Sequence, residues 1–528
     1  MPDQVGDSPA PPPPPLGRRA FLLNALTSYG QRALVGLSAL VLTPILFRTL
    51  GTGGFGTWSV MFTLTTVFSM LEVGFSLGTT KFIAQQRAEN RRQEMEATLG
   101  ASVVLMTGLG LVALAASVGI ALLASDLAAA GDEDAFRAGM IILGAAYFLR
   151  LPLVAYGSAL AGYQRYDLYN LGQAVTVITS TVGAIVVVTA GGGVLGVAIA
   201  YAVAFVAGGI AYALLLRRLD RRLRLVPRGT DRSVRRRVLG FSSFTLLADS
   251  MMFVGARLDT VVIAALRNAA AAAPFAAANK LQTGIQTLTL PVINLMLPMV
   301  SELEARGMRE TVIERMLVAT RVTLQVTAPV ALGVAFFSAD IVDVWLGDTA
   351  PAITASIITI LAISTLTLCA VPANRVLIGI GRARTVGWLN AVEGLLNLTI
   401  SIALVSAYGA VGAAIGTLIS SCLIGPAHFP FACRATGYPL RRFVRVGLWP
   451  AVASSLPSAA AMLLVWLLMS PSGVRLLVGL LVGVSAAALV AVLELGPRRA
   501  LREVRSGLGG ARTEPERGPQ ELLAEGPS

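Results

Sequence analysis

Long apolar runs alternate with short polar connections along most of the chain. Each run is about 20 residues or longer, enough to cross a hydrocarbon core of roughly 30 Å as an α-helix. The pattern predicts an all-α polytopic membrane protein with about fourteen transmembrane helices. Their approximate bounds are 22–48, 55–78, 97–124, 137–160, 168–190, 194–216, 239–266, 275–301, 314–338, 350–376, 386–407, 410–432, 447–469 and 474–494.

Arginines are concentrated in every second connection. The densest cluster, 217–237, holds ten arginines and two aspartates, whereas connections 126–134 and 338–348 are acidic and contain no arginine or lysine. Arg267 is the exception, a base in an otherwise apolar connection of the second set. Because basic loops are retained in the cytoplasm, the pattern predicts a multi-pass protein of the bacterial plasma membrane with both termini cytoplasmic.

Two short motifs recur at nearly the same offset. Residues 162–165 (GYQR) match 379–382 (GIGR), and 193–199 (GVLGVAI) match 409–415 (GAVGAAI), at offsets of 217 and 216 residues. A chance match is the alternative, since glycine and alanine are abundant. An internal duplication predicts two parallel six-helix repeats with a pathway between them. The predicted organisation is a disordered cytoplasmic tail (1–20), a helix bundle (21–216), a basic linker (217–238), a second bundle (239–433), two further transmembrane helices (434–495) and a second disordered tail (496–528).

The composition excludes several functional classes. The net charge of +13 is explained by arginines at membrane edges rather than by nucleic-acid binding. Three cysteines and a single histidine form no metal-ligand spacing, so we expect no metal. No Walker A motif, zinc signature or large soluble domain is present, so we expect neither enzymatic activity nor a cofactor.

Several motifs, in their order along the chain, resemble one transporter family. They are Arg48-Thr49-Leu50-Gly51 with the following 54–58 (GFGTW), Glu72-Val73-Gly74-Phe75 with 81–84, Arg257-Leu258-Asp259, the segment 272–281, Thr327-Ala328-Pro329 with Trp345-Leu346-Gly347, and the segment 376–417. Together they resemble the polysaccharide transporter (Wzx-type flippase) branch of the multidrug/oligosaccharidyl-lipid/polysaccharide exporter superfamily, whose relatives include the lipid II flippase MurJ and the MATE antiporters.

The resemblance covers about residues 20–435 and implies both a fold and an activity. Its members form two six-helix bundles arranged as a V around a central cavity. They move polyprenyl-diphosphate-linked glycans from the inner to the outer leaflet. The implied partners are that glycan, membrane lipids and a glycan polymerase or glycosyltransferases, and the chain is expected to act as a monomer.

Basic residues at helix depth are the candidates for substrate binding, because a buried charge is costly and tends to be functional. Arg32 lies inside the first span, and its guanidinium donors match phosphate oxygens; a structural pair with a neighbouring helix is the alternative. Lys280 and Arg257 are the other candidates. Lys280, about five residues into the eighth span, has snorkelling to the outer surface as its alternative, and Arg150 is expected to anchor a helix end.

Four carboxylates are candidates for ion coupling or gating: Asp249, Glu72, Glu393 and Asp259. Asp249 lies inside the seventh span and is placed to balance Arg32 or to carry a proton or cation, with an interhelical hydrogen bond as the alternative. Glu72 is expected near the inner end of the second span as an ion-coupling candidate, with a snorkelling or gate residue as the alternative. Asp259 lies with Arg257 near an outer helix end, where a gate pair and a substrate contact are both open.

Three functions are compatible with these observations. The first is a lipid-linked oligosaccharide flippase working by alternating access, for which the prolines and glycines inside the spans provide bending. The second is a MATE-like cation-coupled exporter of small molecules or drugs. The third is a non-transporting scaffold in a glycan-synthesis complex. The intramembrane bases favour the first, because a cation exporter requires an acidic cavity.

Overall fold

The computed structural model describes residues 18–223, 236, 239 and 258–495. The predicted tails lie almost entirely outside these residues, as do most of the basic linker and most of the predicted seventh span. The described part is built from helices with short connections, which confirms the all-α prediction. Eleven of its helices are long and apolar enough to cross a membrane. The first of these helices, α1 (Arg18–Ala88), contains two spans, and the shorter helices 269–287 and 290–305 together form one more. The predicted seventh span, 239–266, lies largely outside the described residues. The described helices therefore agree with the prediction of about fourteen spans.

The first half consists of five helices. They are α1 (Arg18–Ala88), α2 (Arg92–Leu123), α3 (Glu133–Gly162), α4 (Tyr166–Thr189) and α5 (Gly193–Leu219).

Helix α1 contains two arms, 18–50 and 52–88, joined at Gly51. This glycine has φ +67° and non-helical geometry, a left-handed backbone that favours glycine. Asn24 on the first arm donates to the Gln164 carbonyl (3.1 Å), and Arg87 on the second donates to the Tyr163 carbonyl (2.7 Å). Because both arm ends reach the same loop, the chain reverses at Gly51, and the first half contains six packed helices.

A polar cluster joins helix ends at the arginine-rich end of the first half, called the basic end below. Asp220, after α5, accepts hydrogen bonds from Tyr163 Oη (2.9 Å) and Arg92 Nη2 (3.1 Å). Burial alone would raise the pKa of Asp220, but the hydrogen bonds from Tyr163 and Arg92 outweigh it and keep that pKa below its ordinary value. Burial, and secondarily the bond to Asp220, raises the pKa of Tyr163.

The second half and the two extra helices follow in sequence order. They are α6 (Asp259–Leu266), α7 (Ala269–Thr287), α8 (Leu290–Ala305), α9 (Arg309–Phe336), α10 (Ser338–Ile341), α11 (Ile353–Ser364), α12 (Val371–Gly379), α13 (Ala383–Tyr408), α14 (Ala410–Ile424), α15 (His428–Thr436), α16 (Leu440–Phe443), α17 (Trp449–Leu468) and α18 (Gly473–Leu495).

Three membrane-length segments of the second half are interrupted where their counterparts in the first half are continuous. Helices α7 and α8 are separated at 288–289, α11 and α12 by a 3₁₀ segment at 365–370, and α14 and α15 at 425–427. A proline lies in the interruption (Pro426) or is the second residue of the helix that follows it (Pro291 and Pro372). Proline lacks the N–H that continues a helix, so these segments break, whereas α3 continues through Pro152.

The single histidine connects two of these interruptions. His428 is buried, and its Nδ1 lies 3.2 Å and 3.1 Å from the carbonyl oxygens of Ile424 and Gly425. Its Nε2 lies 3.3 Å from Asn374 Nδ2, just after the 3₁₀ segment. Both carbonyls also accept backbone N–H groups, Ile424 from Ala427 (3.0 Å) and Gly425 from His428 itself (3.2 Å), so the imidazole adds a polar contact to a turn that is already hydrogen-bonded.

The halves contact each other at the end opposite the basic end, through the two arms of α1 against α6, α7 and the segment after α10. A Cβ atom on Gly56 would overlap the carbonyl oxygen of Ala269. The backbones of α1 and α7 therefore touch directly at this position. We call this contact the seam.

Candidate functional site

Two predicted site residues, Asp249 and Arg257, lie outside the described residues. Their assigned roles in coupling and substrate binding stay predictions. Of the remaining five candidates, Glu72 lies inside the first half, Glu393 and Asp259 inside the second, Lys280 where the halves meet, and Arg32 on the exposed side of the first arm of α1.

Glu72 and Arg150 form a buried ion pair inside the first half. Arg150 Nη2 lies 3.2 Å from Glu72 Oε1, with both side chains about nine-tenths buried. The guanidinium also lies over the rings of Phe205 (5.2 Å) and Tyr147 (6.0 Å), contacts that stabilise a buried cation. Glu72 therefore carries a charge that is already balanced by a permanent cation.

The anchoring role expected for Arg150 was wrong, and both side chains lie well inside their helices. The second arm of α1 continues to Ala88, so Glu72 lies 16 residues from that end, about 24 Å along the helix. Arg150 lies inside α3 and is buried, so it is not an end-of-helix anchor. The sequence offered no sign of the pairing because 78 residues separate the partners.

Asp259 lies in a buried polar cluster inside the second half. It is 5% exposed, and its Oδ2 accepts a hydrogen bond from Thr417 Oγ1 on α14 at 3.2 Å. Asn397 Nδ2 on α13 donates to the same hydroxyl at 3.0 Å. Ser401, one turn further along α13, lies beside the carboxylate.

The cluster contains more acceptors than donors. Asp259 Oδ1, Asn397 Oδ1 and Ser401 Oγ are buried without a well-aligned hydrogen-bond partner. The Thr417 hydroxyl also lies 3.2 Å from the carbonyl oxygen of Ala413, and its single hydrogen serves one acceptor at a time. Among the described residues, none with a positive charge forms an ion pair with Asp259. A proton or a small cation would satisfy these oxygens.

Glu393 extends this cluster toward the basic end. Residues 393, 397 and 401 are spaced four apart on α13 and share one face of the helix. The Glu393 carboxyl lies beside the Ser421 hydroxyl on α14, one turn after Thr417. A stripe of polar side chains therefore runs between α13 and α14 for about 12 Å, from Glu393 to Ser401.

Lys280 lies where the two halves meet. Helix α7 begins at Ala269, six residues before the expected start of the span, so Lys280 is eleven residues, about 16 Å, inside it. Its Nζ lies 5.0 Å from the centre of the Phe62 ring on the second arm of α1. Lys280 thus belongs to the second half and contacts the first at helix depth.

Arg32 is exposed on the first arm of α1. Two serines of this arm face α4. Ser28 Oγ accepts a hydrogen bond from Asn170 Nδ2 of α4 (2.9 Å), and Ser38 forms a hydrogen bond with Thr181 of α4. Arg32 forms no such bond with the described residues, so its charge is available to a ligand or to lipid.

Sequence reasoning missed the neutral members of the Asp259 cluster: Asn397, Ser401 and Thr417. Neutral amides and hydroxyls are common in membrane helices, so they do not stand out in an apolar run as a charged residue does. The available signal was spacing, because Glu393, Asn397 and Ser401 repeat at four-residue intervals in an otherwise apolar helix.

Solved structures with similar folds are membrane transporters. The lipid II flippase MurJ in an inward closed conformation aligns with a TM-score of 0.71 and 15% identity, covering 90% of this chain and 99% of that one. An inward-facing MATE multidrug transporter aligns at 0.66 and 15% identity, covering 80% and 99%. An outward-facing MATE structure gives 0.56 at 15% identity, covering 79% and 96%.

The sequence comparisons identify the family. A search of curated protein sequences finds no significant match. The family profile described as "Polysaccharide biosynthesis protein" matches residues 25–304, more than half of the chain. The resemblance inferred from the motifs is therefore confirmed: the chain belongs to the polysaccharide biosynthesis protein family, and its fold is similar to those of MurJ and MATE transporters.

Proposed function

We propose that the protein is a flippase that moves a polyprenyl-diphosphate-linked oligosaccharide from the inner to the outer leaflet of the bacterial plasma membrane. The family description and the likeness to a lipid II flippase support this substrate class. In this proposal the chain works as a monomer, supplied by glycosyltransferases and followed by a glycan polymerase, for cell-surface polysaccharide synthesis.

The observation that carries the proposal is the sign of the charges between the halves. Lys280 contacts the opposite half, and Arg32 is exposed, whereas Glu72 and Asp259 are buried within their own halves. A diphosphate is anionic, so basic residues along its path would stabilise it where water is excluded. A cation exporter would require the reverse arrangement.

The proposed mechanism is alternating access between the two bundles, 21–216 and 239–433. The halves touch at the seam, and the better alignment with inward-facing than with outward-facing MATE structures supports a state open toward the basic end. The basic connections and both termini are placed in the cytoplasm by the positive-inside rule. Fusions of a periplasm-active reporter to each terminus test this orientation, and an active fusion would refute it.

We further propose that the Asp259 cluster carries the coupling proton or monovalent cation. Its unpaired oxygens support this role, and the stripe through Glu393 provides a polar route from the basic end. Asp249 and Arg257 remain candidates for coupling and substrate contact, respectively. Glu72, balanced by Arg150, is proposed as a structural or gate residue rather than an ion carrier.

The decisive experiment removes the protein from its bacterium and follows the lipid-linked glycan. Deletion should trap the glycan in the inner leaflet, protected from a membrane-impermeant glycan-modifying reagent. Lys280→Met should reproduce the defect with at least a tenfold lower flipping rate, while Lys280→Arg should keep most activity because charge and length are conserved.

The MATE-like antiporter is the second candidate, favoured by the same fold likeness and by the buried carboxylate of Asp259. The deletion strain separates the two functions. Greater sensitivity to cationic drugs without trapped glycan would refute the flippase and support the antiporter.

A further inference from the structure

The segment after α9 contacts both the first half and the last two helices. It comprises α10 and the following π-helical turn, Val342–Leu346, which ends at Gly347 with φ +74°. The segment lies at the seam end of the molecule, in the acidic connection that also holds the Trp345-Leu346-Gly347 motif.

Arg48, at the end of the first arm of α1, caps this turn from the other half. Its Nε donates to the Leu346 carbonyl at 3.1 Å. Its Nη2 donates to the carbonyls of Val344 (3.1 Å) and Trp345 (3.2 Å). These carbonyls form the C-terminal end of the turn, which carries a partial negative charge. The guanidinium donates hydrogen bonds to them, and its positive charge interacts favourably with that end.

A second hydrogen bond crosses the interface in the opposite direction. The indole Nε1 of Trp345 donates to the Leu40 carbonyl at 2.8 Å. In a continuous helix that carbonyl would accept from the residue four positions later, but that residue is Pro44, which has no N–H. The proline thus leaves an acceptor on the first half that the tryptophan of the second half fills.

The last two helices hold the segment from its other side. Asp340 is fully buried and paired with Arg475 at the start of α18, with Nη2 to Oδ2 at 2.7 Å and Nε to Oδ2 at 3.0 Å. The backbone N–H of Ser472 donates to Asp340 Oδ1 at 2.9 Å. Arg475 also donates to the Met469 carbonyl at 3.3 Å, so the pair is tied to the α17–α18 connection.

We propose that residues 338–347 form a latch that keeps the two halves together at the seam end, and that α17 and α18 hold the latch in place. The latch must open when the protein turns to the other leaflet, which breaks the Arg48 and Trp345 bonds but not the buried Asp340–Arg475 pair. The two helices outside the duplicated halves thereby gain a function: they set how readily this end opens.

The test measures the separation of the halves directly. Spin labels on cysteines at Thr49 and Thr349, both exposed and on opposite sides of the latch, report the distance in a Cys422→Ser background. Wild-type protein should give mainly the short distance. Arg48→Ala should raise the population of the long-distance form about tenfold, because hydrogen bonds from a charged donor are lost.

Arg267→Ala is the matched control. Arg267 also caps a helix end, donating to the carbonyls of Val405 (3.2 Å) and Ser406 (2.5 Å), but it stays within the second half. Its removal should leave the distance distribution unchanged. A wild-type distribution in Arg48→Ala, or an equal shift in both variants, would overturn the latch.

The role of α17 and α18 is tested by replacing the buried pair with apolar residues, Asp340→Leu with Arg475→Leu, which avoids leaving one charge unpaired. This double variant should shift the distance in the same direction as Arg48→Ala, and combining all three should add little. An unchanged distance would refute the contribution of these helices.

Arg48→Lys provides a second reading should Arg48→Ala fail to fold, since it keeps the charge but lacks the planar fork. It should give a shift smaller than the alanine variant, and no shift would count against the latch. The measurement needs no substrate. The latch proposal can therefore be refuted while the flippase proposal stands, and the flippase proposal can be refuted while the latch stands.

Discussion

Glu72 in the first half and Asp259 in the second half are both buried carboxylates, but they have opposite surroundings. Glu72 is paired with Arg150 at 3.2 Å, and the Arg150 guanidinium lies over the ring of Phe205; Glu72 Oε2 and Arg150 Nε have no hydrogen-bond partner among the described residues. Asp259 is surrounded by the neutral groups of Asn397, Ser401 and Thr417, several with unpaired oxygens. The charge of Glu72 is balanced by Arg150, whereas Asp259 forms no ion pair with any residue of the described ranges 18–223 and 258–495.

This difference indicates which of the two carboxylates can bind a coupling proton or cation. A carboxylate that is already neutralised by a guanidinium gains little from a proton or cation, because arginine does not deprotonate in proteins. A carboxylate among neutral oxygens is costly to bury until a proton or cation arrives. We therefore propose that the ion-dependent step lies in the second half, whose helices are interrupted, and that the pair in the first half has a scaffolding role.

The largest expected effect comes from breaking the Glu72–Arg150 pair. Glu72→Leu leaves a buried guanidinium that cannot lose its charge, so we expect a loss of about 3–5 kcal/mol in unfolding free energy. Thermal unfolding in detergent measures it. The double variant Glu72→Leu with Arg150→Met removes both charges and should recover most of that stability. If the single variant is as stable as wild type, the pair is not a structural element.

The next effect concerns Asp259→Asn, which keeps the shape of the side chain and removes the charge. We expect flipping in vesicles to lose its dependence on the proton or cation gradient and to slow at least tenfold, equivalent to about 1.4 kcal/mol. Stability should be unchanged or higher, because an incompletely paired buried charge is removed. The Glu72–Arg150 double variant is the control and should retain gradient dependence; equal loss in both would erase the distinction between the halves.

A smaller effect is expected from Thr417→Val, which removes one oxygen of the Asp259 cluster. Losing one hydrogen bond or ligand costs about 1 kcal/mol, so the apparent affinity for the coupling ion should fall roughly fivefold with little change in maximal rate. Thr399→Val is the matched control, since this exposed threonine of α13 bonds only the Leu395 carbonyl. Identical ion titrations for the two variants would exclude Thr417 from the site.

The sequence predicted the helices well because apolar length and arginine spacing are local properties. It also identified Glu72, Glu393 and Asp259 as notable, since a carboxylate in an apolar run is visible without a structure. It could not identify their partners: Arg150 is 78 residues from Glu72 and Thr417 is 158 residues from Asp259. Such pairings depend on how the helices pack.

Helix interruptions show the same limit in another way. Prolines are easily read, yet Pro44 and Pro152 lie in continuous helices whereas Pro291, Pro372 and Pro426 accompany breaks. At Pro44 the freed Leu40 carbonyl accepts a hydrogen bond from the indole of Trp345, a residue of the other half. This contact cannot be inferred from local sequence.

The direct backbone contact between Gly56 and Ala269 has an electrical consequence. A carrier at rest must not conduct ions across the membrane that stores the gradient, and at Gly56 the backbones of α1 and α7 leave no width for a water molecule between them. Gly56→Ala would force α1 and α7 apart, and we expect proton leakage into vesicles that wild-type protein does not cause. We propose that the glycine at this position helps to keep the membrane insulating between transport cycles.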